Sequence, residues 1–143
     1  MVKPKISIGR VEKVDFPDME MFDINAKIDT GAYSSSIHCH DIIENLEEKI
    51  LSFKLLDPSH PNYNEKEIQF TDYSKVKVKS STGVSQNRYK IKTAIKIGRK
   101  TYITNFTLTN RRKMRYPVLL GRKMLGKRFV VDVSHKYLLN PKV

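Results

Sequence analysis

Ala26-Lys27-Ile28-Asp29-Thr30-Gly31-Ala32-Tyr33-Ser34-Ser35-Ser36 is the stretch on which the fold turns. Ile24, Ala26 and Ile28 alternate with Asn25 and Lys27, the period-two pattern of a half-buried strand. That strand runs directly into an acid, a hydroxyl and a glycine. Peptide hydrolysis by carboxylates needs an Asp at a strand end facing a cleft, a hydroxyl to lock the loop, and a glycine that lets another backbone come close. Asp29, Thr30 and Gly31 supply these in order. By itself the tripeptide is equally an ordinary turn, and only its surroundings separate the two.

The surroundings are mostly strand. Leu51, Phe53 and Leu55 alternate with Ser52 and Lys54, and Val76 and Val78 alternate with lysines. Ile91, Ile95 and Ile97 lead to Gly98-Arg99, after which Thr101, Ile103 and Phe106 to Leu108 resume an extended run, the pattern of a hairpin. Ser80-Ser81-Thr82-Gly83 reads as a second hairpin tip. Asp57 to Asn62, with two prolines, is a loop. Two stretches read as short helices: Asp41 to Lys49, with Ile42, Ile43 and Leu46 on one face, and Arg122 to Lys127. Many short strands with little helix predict a mainly β fold, a small closed barrel or a sandwich with one or two short helices, occupying 1–143 as a single domain.

Composition narrows the class. No apolar run is long enough to span a bilayer as a helix, and Met1 to Arg10 has no continuous apolar segment of signal-peptide type, so the expected location is cytoplasmic. Cys39 is the single cysteine, which excludes an intrachain disulfide. The chain carries 27 Lys plus Arg against 15 Asp plus Glu, a formal charge of +12. Such a surface attracts acidic peptide, nucleic acid or an anionic membrane, and charge alone does not rank them.

The far end of the chain supplies the missing context. Tyr116-Pro117-Val118-Leu119-Leu120-Gly121-Arg122 precedes a short helical stretch. An Asp-Thr-Gly-Ala loop combined with an apolar-apolar-Gly-Arg segment resembles the retropepsin-like aspartic peptidase superfamily. With Ser80-Ser81-Thr82-Gly83 and Leu108 to Tyr116 added, the chain resembles more closely the bacterial and archaeal family labelled ATP-dependent zinc proteases. The resemblance extends from Ile8 to Val133.

It implies an acid-protease barrel and a homodimer, because one Asp-Thr-Gly is half of a two-carboxylate site. Asp29 would be the catalytic acid, Thr30 would hydrogen-bond across the dimer, and Gly31 would admit substrate backbone. Ala32 and the flap Ser80, Ser81, Thr82 and Gly83 would contact a peptide or protein substrate, and Gly121 and Arg122 would support the loop. In retroviral relatives the equivalent arginine braces an acidic residue just after the loop, whereas this chain has Tyr33-Ser34-Ser35. Arg122 is therefore expected to pair with Asp132, Glu12 or a backbone carbonyl.

The label's two cofactors find little in the residues. No Gly-x-x-x-x-Gly-Lys-Ser/Thr run exists to cradle a nucleotide, and no His-Glu-x-x-His helix exists to bind zinc. His38 and His40 would share a strand face, without an evident third ligand. The expectation is no cofactor and no metal. The competing functions are a zinc peptidase and a non-catalytic domain that grips acidic peptide or nucleic acid through Arg111-Arg112-Lys113, Arg115, Arg122, Lys123, Lys127 and Arg128. That cluster offers only Tyr116 and Phe129 for base stacking.

Overall fold

The structure, a computed structural model, describes residues 4–79, 83–110 and 115–139. Its strands in chain order are β1 (Ile6–Gly9), β2 (Val11–Phe16), β3 (Met21–Ile28), β4 (Ser36–Asn45), β5 (Ile50–Leu55), β6 (Glu67–Phe70), β7 (Tyr73–Lys79), β8 (Ser85–Ile97), β9 (Lys100–Thr109), β10 (Val118–Leu120) and β11 (Phe129–Asp132). The single α-helix among the described residues, α1, spans Arg122–Leu125. The chain is mainly β, as its alternation predicts.

Strand neighbours run β10-β3-β2-β8-β9-β4, and β10 also pairs with β4, so these six strands close a ring. The ring is not a clean barrel: β5 and β6 branch away from β4, and β7 pairs only with β8. The predicted hairpin at Gly98-Arg99 joins β8 to β9, with Gly98 at φ 63, a left-handed conformation that glycine adopts without steric cost. Inside the ring the inward members of each alternation meet. Phe16, Ile24, Ile37, Ile91, Ile95, Phe106 and Leu120 are all less than 2% exposed. Phe16 and Phe106 pack edge to face with centroids 5.4 Å apart. Each such side chain contributes roughly 1.5–3 kcal/mol on burial.

One predicted helix is absent. Asp41 to Asn45 continues β4 and pairs with β5 as Ile43↔Ser52, Glu44↔Leu51 and Asn45↔Ile50. A bulge between His40 and Ile43, with Asp41 at φ 53, re-aims the strand. Ile42 and Glu44 then turn inward, while Ile43 is 64% and Leu46 73% exposed. The apolar stripe of the supposed helix has nothing to bury against. Leu46 to Lys49 forms the turn, held by the Asn45 side-chain oxygen, which accepts the Glu47 and Glu48 amides at 3.1 Å each.

The two ends of the described chain are stitched together. β1 pairs in parallel with β11, from Ile6↔Phe129 to Gly9↔Asp132. The segment after β11 returns across β2, with the Arg10 amide on the His135 carbonyl and the Tyr137 amide on the Val11 carbonyl. Glu12, fully buried, accepts three backbone N–H groups: Gly9 at 2.7 Å, Leu138 at 3.0 Å and Leu139 at 3.1 Å. A buried carboxylate is tolerated when its lone pairs are filled in this way. Glu12→Ala leaves three amides without an acceptor and is expected to lower stability by about 3 kcal/mol, read as a fall in the urea midpoint.

Candidate active site

Asp29 stands at the end of β3, and the loop that follows is built against β10. β10 lies between the strands on either side of that loop, parallel to β3 (Val118↔Ala26, Leu120↔Ile28) and antiparallel to β4 (Val118↔Ile37, Leu119↔Ser36). The Asp29 amide donates to the Leu120 carbonyl at 2.9 Å. Just beyond β10, the Gly121 amide donates to the Ser35 hydroxyl at 3.1 Å, Arg122 to the Ala32 carbonyl at 2.8 Å and Lys123 to the Tyr33 carbonyl at 3.0 Å. The loop is thus bolted down at both ends and along its floor.

Gly121 is required by that proximity. A β-carbon there would sit 2.5 Å from the Ser34 carbonyl oxygen and 2.8 Å from the Tyr33 carbonyl carbon, both backbone atoms that cannot move aside alone. Gly31 differs, since a β-carbon there meets only the Asp29 carboxylate at an ordinary 3.4 Å. Among the described residues nothing demands a glycine at position 31. The Gly31 amide turns back onto Asp29 Oδ1 at 3.1 Å, and the Ala32 amide onto the Asp29 carbonyl at 3.2 Å. Thr30 and Gly31 are exposed, Asp29 and Ala32 half-buried. No cation forms an ion pair with Asp29 among the described residues.

Arg122 takes the third of its anticipated partners. Its guanidinium donates to the Thr30 carbonyl at 3.1 Å and lies over the Tyr33 ring, 5.9 Å from the centroid. Tyr33 occupies the place of the acidic brace in the retroviral pattern, so an aromatic face stands where a carboxylate would. Glu12 is committed to the chain ends, and Asp132 accepts from Ser134.

The hairpin expected to act as a flap is present up to its tip: β7 and β8 pair from Tyr73↔Ile91 to Lys79↔Ser85. Ser80, Ser81 and Thr82 lie outside the described residues, and Gly83 is exposed with φ 84. Two features of this hairpin escaped the sequence. Its stem is clamped by Glu44 of β4, which accepts from the Tyr73 hydroxyl at 2.7 Å, the Tyr89 hydroxyl at 3.0 Å and the Lys75 ammonium at 3.0 Å. Its inner side faces the loop across a cavity of about 130 Å³, lined in part by Tyr33, Ser35, Val76, Val78 and Met124.

His38 and His40 do not form a zinc site. Cys39 points to the core, where burial pushes its thiol up to about 12. Both His40 nitrogens are engaged, by the Leu56 carbonyl at 2.8 Å and the Tyr63 hydroxyl at 3.1 Å. His38 is buried beside Asp57 at 3.8 Å, and that burial holds its ring below the usual imidazole range. Among the described residues no group of three or more His, Cys, Asp or Glu is placed to hold a metal ion. The described residues do not fit the zinc of the family label. No helix of the described residues is long and apolar enough to cross a membrane.

A ring of strands with an Asp-Thr-Gly loop seated on an apolar-apolar-Gly-Arg strand end defines the retropepsin-like class. Over residues 7–142 the chain matches the model of the family described as RimB-like, retropepsin-like aspartic endopeptidase RimB, and it belongs to that family. It is similar to a probable alpha-L-glutamate ligase of Shewanella pealeana, 37% identical over 96% of this chain and 31% of that protein. A probable alpha-L-glutamate ligase of Parasynechococcus marenigrum is 31% identical over 94% of this chain and 29% of that protein. The chain thus spans about a third of the length of the curated relatives it matches. Among solved structures it is similar to a Legionella pneumophila protein of unknown function, at 28% identity and a TM-score of 0.71, covering 96% of this chain and all of that one.

Two outcomes follow from this geometry. Gly121→Ala is expected to cost about 2–4 kcal/mol in chemical denaturation, because the loop must lift off β10. The Glu44 carboxyl is held below its ordinary value, first by the Tyr73 hydroxyl and then by Lys75. A depressed folded-state value means that the clamp is complete above the unfolded Glu pKa, near 4.3, and is lost as pH falls through the lower folded value. Protection factors of the β7–β8 amides should therefore drop at acid pH, and Glu44→Gln should remove that drop.

Proposed function

We propose that two copies of this chain form an aspartic endopeptidase in which the two Asp29 side chains meet at a two-fold axis. The observation that carries this is the placement of Asp29: an acid at a strand end, on a loop fastened from below by β10, open to solvent and without an ion-pair partner among the described residues. Membership of a retropepsin-like endopeptidase family supports the same role. The lack of any intrachain need for glycine at position 31 also supports it, since a second loop or a substrate strand pressed against Gly31 accounts for the residue.

In the dimer, two carboxylates about 3 Å apart cannot both ionise cheaply and hold one proton between them. The ionised Asp29 takes a proton from a water molecule as its oxygen attacks the scissile carbonyl carbon. The protonated Asp29 donates to the developing oxyanion. Collapse of the tetrahedral intermediate passes a proton to the leaving nitrogen and breaks the carbon–nitrogen bond. Thr30 would tie the two loops together, Ala32 would contact the substrate backbone, and the β7–β8 hairpin with Ser80 to Gly83 at its tip would close over the peptide and exclude water.

Acidic peptides are the proposed substrates. The formal charge of +12 favours them, and relatives that carry a similar segment are described as probable alpha-L-glutamate ligases, whose product would be glutamate-rich. Asp29→Asn should lower kcat/KM on such a peptide by about 10³-fold or more while leaving the circular dichroism spectrum and sedimentation of the dimer unchanged. Retained cleavage in that variant, or a strictly monomeric wild type that still cuts, would dismiss the assignment.

A further inference from the structure

The β7–β8 hairpin is supported unevenly along its length. β8 pairs with β9 from Lys90↔Thr107 to Ile97↔Lys100, and with β7 from Tyr73↔Ile91 to Lys79↔Ser85. From Tyr89 outward the hairpin is therefore a ribbon of two strands, with no third strand beside it among the described residues. An isolated two-stranded ribbon is marginally stable in water, so the direction in which this one projects is set at its root. Tyr89, the first residue of β8 beyond the last β9 pair, lies directly opposite Lys75. Tyr73 is two positions nearer the root and shares their face.

All three side chains reach one carboxylate. Glu44, on the part of β4 that pairs with β5, takes the Tyr73 hydroxyl on Oε2, and the Tyr89 hydroxyl and the Lys75 ammonium on Oε1. The two tyrosine rings meet edge to face with centroids 6.1 Å apart, and the Lys75 ammonium lies 5.6 Å from the Tyr89 centroid. Only 13% of the Glu44 side chain is exposed. Stability alone does not call for a carboxylate here, because an apolar side chain packed against two rings avoids the cost of dehydrating a charge. What the carboxylate adds is direction. Bonds to three donors on two strands hold the ribbon in one orientation, where an apolar contact would let it slide. On the other face of β7, Val76 and Val78 line the cavity that the hairpin shares with Tyr33 and Ser35 of the Asp29 loop. The angle fixed behind the ribbon at Glu44 thus sets the width of the space in front of it.

We propose that Glu44 is a positioning residue, the pivot that sets how the β7–β8 ribbon stands over the Asp29 loop. Its hold on the ribbon belongs to the single chain, while its effect on turnover rests on the homodimeric peptidase reading. The hydrogen-bond partners of Glu44 all belong to the hairpin, so it acts on the reaction only through the ribbon. A ribbon freed of its pivot samples many orientations, of which one closes on a bound chain. Apparent affinity falls by the fraction of molecules in that orientation, while a peptide already enclosed reacts as before. Loss of the pivot therefore raises KM and spares kcat.

The test compares wild type with Glu44→Gln and with the double variant Tyr73→Phe/Tyr89→Phe, which removes two hydroxyl groups and leaves both rings in place. In each variant the amides of residues 76–79 and 85–88 should exchange about tenfold faster at neutral pH, with β3 and β10 amides unchanged, in hydrogen exchange read by mass spectrometry. Combining all three substitutions should have less effect than the two sets added together, because they break the same bonds. With a peptide of ten glutamates as substrate, KM should rise by about tenfold and kcat stay within about twofold. Unchanged ribbon exchange in both variants overturns the inference. So does exchange that rises equally in β3 and β10, which makes Glu44 a contributor to global stability alone, and so does a fall in kcat at constant KM. If wild type leaves the peptide uncut while the ribbon exchanges faster in both variants, the peptidase reading fails and the pivot stands.

Discussion

The contact between the backbone at Gly121 and the backbone of Tyr33 and Ser34 is the constraint on which the rest of the molecule depends. Ser35 and Gly121 are 86 positions apart, yet a hydrogen bond joins them. Bonds from Asp29 to Leu120, Arg122 to Ala32 and Lys123 to Tyr33 surround it. Four such bonds contribute roughly 2–6 kcal/mol in net terms, a sizeable share of the 5–15 kcal/mol that holds a domain of this kind folded. They also remove conformational freedom from the loop that carries Asp29. Rigidity at the loop floor and exposure at its tip are two results of one arrangement: β10 occupies the inner edge of both β3 and β4.

The replacement of an acidic brace by Tyr33 changes the electrostatics without loosening the loop. Arg122 still reaches Thr30 and still lies against the residue after Ala32, but through a ring face in place of an ion pair. Its positive charge therefore has no ion-pair partner among the described residues. The cavities on either side of Tyr33 are lined by lysines and by no acidic residue, so the surface around the loop is positive.

What could be read from residue order was whatever carries a restriction of residue type. Asp29-Thr30-Gly31 and Leu119-Leu120-Gly121-Arg122 are such restrictions, and alternation at Ile24 to Ile28 or Leu51 to Leu55 reveals strands because one face is buried. The stretch from Asp41 to Lys49 misled because Ile42, Ile43 and Leu46 fit a helical face as well as a strand, and only pairing with β5 decides between them. Glu44 was invisible for a related reason: Tyr73 and Tyr89 lie 29 and 45 residues away. Nothing local distinguishes a clamp from a solvated glutamate. Lys75 and Lys77 are equally anonymous in sequence, since they sit in the same alternating run and only three-dimensional neighbours show that Lys75 pairs with Glu44 while Lys77 has no ion pair among the described residues.

Glu12 has a topological consequence. By accepting the amides of Gly9, Leu138 and Leu139, it fastens the segment after β11 to the turn between β1 and β2. Loss of that one carboxylate would free the β1–β2 turn and the returning segment together, so that this margin of the fold opens as a single unit.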